Sequence, residues 1–476
     1  MTARRWGRPA VGMMLPVIFL FVTACAVNPV SGERQLMLLS EEQEGELGRQ
    51  TDLQVVQQYG LYDDAALTAA LEERCKALGR ISHRPNLDYR LKILDTPVVN
   101  AFAVPGGYIY FTRGILASLN SEAEMMGVLG HEIGHITARH SAQQYTRAQI
   151  AQIGLGLGAG LSETVRGLGS LAQMGVGMLF MKYSRDNERE ADALGVEYSC
   201  KTGFDGGEMA GFFETLERMN PESDRSGLPA WFSTHPNPAD RQKTVLKMAE
   251  EWKKKLGKDA WKIGKDSYLR RIDGLVYGED PRQGYVEQDV FYHPALRFEF
   301  PVPKGWTLRN TPAVVQMVSG KEDAAILFHL SQAASAQEAA GGFAAKGGVT
   351  VLRDGRTRVN GLPAHYLVSR GNTQKGVIQI LSHFVEKGGK VFEFHGFTAA
   401  ENFRIYSDVF HRVEGGFREL TNPKRIHVQP DRIHILETGK EATLKEALMG
   451  LGVPADELEK TALLNGARLE ERVPPG

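Results

Sequence analysis

Apolar residues recur at the three- and four-residue spacing of a helix from Met125 through Met126, Val128, Leu129 and Ile133 to Ile136. Ser121-Glu122-Ala123-Glu124, just before them, reads as a capping box, so a helix is predicted from about Glu122 to past His140. Upstream, apolar, β-branched and aromatic residues flank Pro105-Gly106-Gly107 between Val98 and Phe111, which predicts a β-hairpin or bent strand. A further helical stretch runs through Ser184 to Gly195. Beyond Gly278 the pattern changes, and residues 279–294 read as a linker. Strand-like runs at 325–330, 376–384 and 390–397 then mix with helices near 336–345 and 401–413. They predict a separate α+β domain over 295–420 with a mostly antiparallel sheet. The predicted class is α+β: a mainly helical domain with a small hairpin or sheet over 25–278, the sheet domain, and a small module over 425–476.

Composition narrows the setting. A chain of 476 residues supports two to three domains, and a net charge of −1 without blocks of like charge argues against nucleic acid as a partner. Arg4, Arg5 and Arg8 precede an apolar run over 11–22, the layout of a signal peptide and too short to span a bilayer comfortably. Val22-Thr23-Ala24-Cys25 looks like a bacterial lipobox, which makes residues 1–24 the leader and Cys25 the lipidated amino terminus. With Ala26 following, analogy points to a periplasmic protein anchored in the outer membrane. Cys75 and Cys200 are either a disulfide of an oxidising compartment or two buried thiols. The stretch 150–181, rich in Gly, Leu, Ala and Met, is broken by Glu163 and Arg166 and is too short on either side to cross a membrane. It reads either as a flap, plug or contact surface near the active site or as a core helical pair.

The chemistry is carried by His131-Glu132-Ile133-Gly134-His135. On a helix, side chains four apart share a face, so both imidazoles reach one ion, while Glu132 projects beside them and can take a proton from water. Catalytic zinc needs a third protein ligand. His140 lies nine residues after His131, the opposite face of a continuous helix, and Ala138 and Ser141 rule out the H-E-x-x-H-x-x-G-x-x-H pattern. Glu188 and Asp192 share a face of the later helix, with Glu190 pointing nearly the other way. Glu188 is therefore taken as the third ligand, and Asp192 as the acceptor that fixes the tautomer of a ligating histidine. His83, His293, His329, His365, His383, His395, His411, His427 and His434 lack ligand spacing and read as structural or surface residues.

HEIGH followed by E-x-x-A-D over Glu188 to Asp192 resembles the M48 peptidases, membrane-associated or periplasmic gluzincins. Asn100-Ala101-Phe102-Ala103 with Pro105 to Tyr110 is similar to the family's hairpin before the zinc helix; Ser233-Thr234-His235-Pro236 with Arg241 is similar to its His-Pro segment; Asn28-Pro29-Val30-Ser31-Gly32 is similar to the start of its lipoprotein members. The resemblance covers roughly residues 25 to 275. It implies a zincin-like fold, one Zn2+, and cleavage of misfolded or stalled envelope proteins in periplasmic quality control. It also implies that Asn100, Ala101, Phe102 and Ala103 offer a strand edge to substrate, and that His235 either stabilises an oxyanion or caps the zinc at rest. Residues 425–476 resemble a LysM-like module, with peptidoglycan as the implied partner, although Gly439-Lys440-Glu441-Ala442 replaces the usual Gly-Asp-Thr and the chain stops where a final strand is expected. The alternative functions are a chaperone or assembly factor for outer-membrane proteins and a peptidoglycan-binding scaffold.

Overall fold

The computed structural model describes residues 25–158, 182–219, 230–236, 240–373 and 376–476. The predicted leader over 1–24, residues 159–181 and the side chains of 151–158 lie outside the described set, so the readings of 1–24 and of most of 150–181 fall there. The chain divides into two units: residues up to Val56 with Leu61–Leu275 and Arg432–Gly476, and Gln57–Gly60 with Val276–Asp431. Among the described residues, no helix is long and apolar enough to cross a membrane.

In the first unit a ribbon of β1 (Cys25–Val27) and β2 (Arg34–Leu36) leads into α1 (Glu41–Tyr59) and α2 (Ala65–Ile81). A three-stranded sheet follows, made of β3 (Arg90–Leu94), β4 (Ala101–Val104) and β5 (Tyr108–Thr112). Then come α3 (Arg113–Ser118), α4 (Glu122–Thr137), α5 (His140–Gly158), α6 (Arg185–Lys201), α7 (Met209–Met219), α8 (Ala230–Thr234), α9 (Arg241–Leu256) and α10 (Lys265–Ile272). The predicted hairpin is β4 and β5, antiparallel, with Phe102 opposite Tyr110. Its turn, Pro105–Gly107, holds Gly106 at φ 83° and Gly107 at φ 95°, where a Cβ on Gly107 would lie 2.4 Å from the Asp88 carbonyl oxygen. Central β5 also pairs with β3 in parallel, leaving β4 at the sheet's edge.

Helix α4 starts where its capping residue predicts, because Ser121 accepts the Glu124 N–H. The box is not reciprocal: the Glu124 carboxylate accepts the Asn120 N–H at 2.7 Å instead of returning to Ser121. Burial pushes Glu124 up to about 7 from 4.5, the Asn120 bond opposing. A carboxyl raised in this way adds full stability below the unfolded value, and that stability is lost as pH rises through the folded one. Glu124→Gln is therefore expected to melt like the wild type near pH 4 and to be more stable above pH 7, by about 3 kcal/mol. Melting curves across that range check it; parallel curves for the two proteins refute it.

The helix also ends sooner than predicted, at Thr137. Arg139 adopts a left-handed φ of 58° and is held there by its buried guanidinium, which donates to Glu44 at 2.8 Å and to the Leu39 carbonyl at 3.0 Å. The chain turns at that residue, and α5 begins at His140. Helices α4 and α6 meet at glycine: a Cβ on Gly130 would lie 3.0 Å from the Gly195 Cα. That backbone approach brings the Glu188–Asp192 face of α6 onto the histidine face of α4. Cys75 and Cys200 are both free and buried, with the Cys75 thiol pushed up to about 12 by burial, so the disulfide reading gives way to the buried-thiol one.

The second unit is built on a seven-stranded antiparallel sheet, ordered β12-β13-β14-β15-β11-β10-β9, and a four-stranded one, ordered β16-β8-β7-β6. Their elements are β6 (Tyr285–Glu287), β7 (Val290–His293), β8 (Phe298–Pro301), β9 (Thr307–Asn310), β10 (Val315–Val318), β11 (Ala324–Leu330), α11 (Ala336–Ala344), β12 (Val349–Val359), β13 (Leu362–Thr373), β14 (Gly376–Lys387), β15 (Lys390–Ala399), α12 (Phe403–Gly415) and β16 (Arg418–Glu419). Phe291, Phe298, Phe300, Phe328, Phe392 and Phe410 dominate the core on one face of the large sheet, and α11 covers Leu367, Phe384 and Val391 on the other. The predicted linker over 279–294 is thus incorrect: it contributes β6 and β7. They are joined by Gln288 and Asp289 at φ 52° and 58°, a two-residue turn whose twist suits a hairpin but whose residues carry no glycine signal.

The chain then returns to the first unit. There β17 (Ala442–Thr443), α13 (Leu444–Gly450), α14 (Leu458–Leu464) and β18 (Arg472–Val473) enclose Leu444, Leu448, Leu458, Ala462 and Leu469. The expectation that no final strand follows is corrected, since β18 pairs with β17. This segment packs on α7, where the Arg218 guanidinium donates to the Ala467 carbonyl at 2.7 Å and Arg468 pairs with Glu214 at 3.1 Å.

Candidate metal centre

His131 and His135 lie one turn apart on α4, and both are buried together with Glu132 and every other residue of that helix. Ser184 caps α6 by accepting the Asn187 N–H, which starts the helix one turn ahead of Glu188 and Asp192. The four candidate ligands His131, His135, Glu188 and His235 place one donor atom each within 4.8 Å of one another. Glu188 Oε1 is 3.5 Å from His135 Nε2, and Oε2 is 3.7 Å from His131 Nε2. His235 Nδ1 completes the group, 3.0 Å from Glu188 Oε1 and 3.3 Å from His131 Nε2.

Supporting bonds set the tautomers. His131 turns Nδ1 to Asp192 Oδ1 at 2.9 Å, and an N–H there leaves its Nε2 bare. His135 Nδ1 sits 2.9 Å from His140 Nδ1, whose Nε2 is 3.0 Å from Glu190 Oε2. The arrangement that satisfies that carboxylate puts protons on His140 Nε2 and His135 Nδ1. The two bare Nε2 atoms then face each other at 3.0 Å, which lone-pair repulsion opposes and a shared cation relieves.

Charge tells the same story. Glu132, Glu188 and Asp192 are buried against one guanidinium, that of Arg241. Burial raises Glu132, and among the described residues neither of its oxygens has a hydrogen-bond partner. Burial acts upward on Glu188 too, but His235, His135 and His131 outweigh it and hold this carboxylate well below its ordinary range. Burial works against a charge on His235, but Glu188 and Glu132 outweigh it and raise this imidazole above its ordinary range. Three carboxyl groups around one guanidinium leave acidic groups in excess, which a divalent cation would balance. The residues present therefore fit a metal of the zinc class, for which two imidazoles and a carboxylate are a common donor set.

Several contributors escape a reading of the motifs. His140 reaches His135 because Arg139 breaks the helix; Glu190 points away from the donor group but closes the His140 bond. Tyr183 stacks on His135 with centroids 3.9 Å apart, and Trp231 stacks on His235 at 4.3 Å. Arg241, quoted only as part of the His-Pro segment, clasps both Asp192 oxygens at 2.7 Å and reaches Glu188 Oε2 at 3.2 Å. The candidate substrate edge lies on β4 apart from Asn100, which precedes the strand; the Trp231 N–H donates to the Val99 carbonyl at 3.2 Å beside it. Cys25 opens β1.

An H-E-x-x-H helix crossed by a second helix bearing the carboxylate defines the class of this centre: an α4-borne metallohydrolase type of site. Comparison with known proteins agrees. The description "Peptidase family M48" matches residues 65–249. Metalloprotease YcaL of Escherichia coli is 30% identical over 178 residues, covering 37% of this chain and 67% of that protein. The mitochondrial metalloendopeptidase OMA1 of Schizosaccharomyces pombe is 28% identical over 234 residues (47% of this chain, 65% of that one). A putative beta-barrel assembly-enhancing protease of Vibrio cholerae is 33% identical over 151 residues (30% and 31%). The chain belongs to peptidase family M48. It spans less than two thirds of the length of the last two relatives.

Proposed function

We propose that this protein is a zinc metalloendopeptidase acting on polypeptides of the bacterial envelope, with His131, His135 and Glu188 as zinc ligands. The observation that carries this reading is the convergence of their donor atoms beside the Glu132 carboxylate, which has no partner among the described residues. Zinc, when bound, supplies a Lewis acid that polarises a peptide carbonyl and makes water easier to deprotonate. Glu132 takes the proton of the attacking water and delivers it to the leaving amine, and its buried, raised carboxyl suits it to holding that proton between the two steps. Asp192 keeps His131 oriented through Nδ1. Of the two readings of His235, the resting cap is favoured by its place within the donor group; a substrate carbonyl and water would need that side vacated.

An extended substrate strand would add to the edge of β4, along Asn100, Ala101, Phe102 and Ala103. Support comes, among the described residues, from the pairing of β4 on one side only and from the buried Asn100 Oδ1, which has no hydrogen-bond partner there. The beta-barrel assembly-enhancing protease among the relatives favours envelope proteins as substrates, and the lipobox-like Cys25 favours a lipid anchor in the periplasm at the outer membrane. The strand–helix–helix–strand order of β17, α13, α14 and β18 supports the LysM-like reading of the C terminus, with peptidoglycan as its partner. Cleavage of unfolded casein is expected to stop after dialysis against a chelator and to return with Zn2+; undiminished cleavage by protein shown to be metal-free would end the proposal.

A further inference from the structure

A second convergence of imidazole and carboxylate lies in the second unit, on strands that carry none of the motifs the peptidase reading uses. His329 on β11 stands opposite Glu393 on β15 in the antiparallel ladder, and His395 follows two residues later on the same strand. All three therefore project from the sheet face that α11 covers. Their donor atoms lie within 4.8 Å of one another. Glu393 Oε2 is shared, 3.8 Å from His329 Nε2 and 3.1 Å from His395 Nε2. Two donors on one tetrahedral zinc at its usual bond lengths are about 3.4 Å apart, so these spacings bracket what a single ion needs.

The surrounding groups are those a metal site uses to fix its ligands. Ser382 Oγ lies 2.8 Å from His395 Nδ1, and a hydroxyl there can accept the Nδ1–H while Nε2 is free to bind. The Ser331 side chain bonds to Glu393, and Phe343 stacks on the His395 ring with centroids 4.5 Å apart. Glu393 and His395 keep 10% and 8% of their side chains exposed, whereas His329 keeps 32%, so the cluster is dry on one side and open to ion and water on the other. An ordinary histidine–glutamate ion pair explains one imidazole at this carboxylate. It gives no reason for a second imidazole turned toward the same oxygen.

We propose that His329, Glu393 and His395 form a second metal site, taking one divalent ion of the zinc class with a position left to solvent and tying β11 to β15. On this proposal His329 and His395 act as ligands rather than as the structural or surface residues that their spacing in the sequence suggests. The test is metal stoichiometry of the full purified chain at micromolar free Zn2+, with Co2+ absorbance as the spectroscopic check. Wild-type protein should hold two equivalents; His329→Ala should hold one and still cleave casein; a His131→Ala/His135→Ala double variant should also hold one. Ser382→Ala should keep the second equivalent with affinity weakened by about 10- to 100-fold. Because His329 is partly exposed, its replacement leaves the sheet's core intact, and circular dichroism verifies folding. A wild-type stoichiometry of one, or two equivalents that persist in His329→Ala, overturns the proposal.

Discussion

Glu132→Gln is expected to bind zinc as the wild type does and to cleave peptide bonds slower by about 10²- to 10⁴-fold, the range over which a positioned proton-transfer group accelerates a reaction. The substitution keeps shape and removes only the ability to take a proton. No hydrogen bond is lost, because neither Glu132 oxygen has a partner among the described residues, and the neighbouring His235 Nε2 lies 3.7 Å away. Stability should hold or rise, since a neutral amide avoids burying the charge that desolvation already disfavours at this site. Single-turnover cleavage of a quenched peptide, with metal content measured on the same sample, separates the outcomes. Activity within tenfold of wild type with metal retained would show that some other group takes the proton. A chaperone reading predicts instead that the variant keeps its role in cells while losing cleavage.

How far the residues alone could lead follows from which distances are local. His131, Glu132 and His135 sit within one turn, and Glu188 and Asp192 within another, so helical spacing was enough to sort each set by face. That the two sets meet depends on glycine contact between α4 and α6, and the E-x-x-A-D resemblance stood in for that contact. Helical spacing alone puts His140 on the wrong face, because its position rests on a left-handed Arg139, whose conformation is held by Glu44 and Leu39, nearly a hundred residues earlier. Strand β6 was hidden for a comparable reason: Gln288 and Asp289 turn the chain without glycine. His329 and His395 could not be paired from spacing at all, since only the register of β11 against β15 brings them together. Long-range pairing is where pattern reading stops. Within the helices and the hairpin, where each side chain's partner is a few residues away, it carried most of the architecture.

Arg241→Ala should cost about 3–5 kcal/mol in the metal-free protein, because removing one partner of a buried ion pair leaves the other charge uncompensated. Here two carboxylates are left. Asp192 loses both charge-assisted bonds at 2.7 Å, and Glu188 loses the cation 3.2 Å from its Oε2. Burial disfavours the guanidinium, but Asp192 and Glu188 outweigh it and raise its pKa further, so the charge is fixed at any pH at which the protein folds. The guanidinium also lies over the Phe213 ring at 4.1 Å, a contact that an alanine cannot make. Arg241→Lys should recover only part of the loss, since one ammonium cannot clasp both oxygens of Asp192. The loaded protein should be hurt less, because the ion itself balances Glu188. Urea unfolding with and without Zn2+ reads this difference directly: an equal loss in the two states, or one below about 1 kcal/mol, would mean that Arg241 is an ordinary packing residue and that Glu188 does not depend on it for its charge balance. Zinc affinity supplies the second axis. Without Arg241, Asp192 is free to swing from His131 Nδ1, and the ligand it orients should bind the ion more weakly by about 10- to 100-fold.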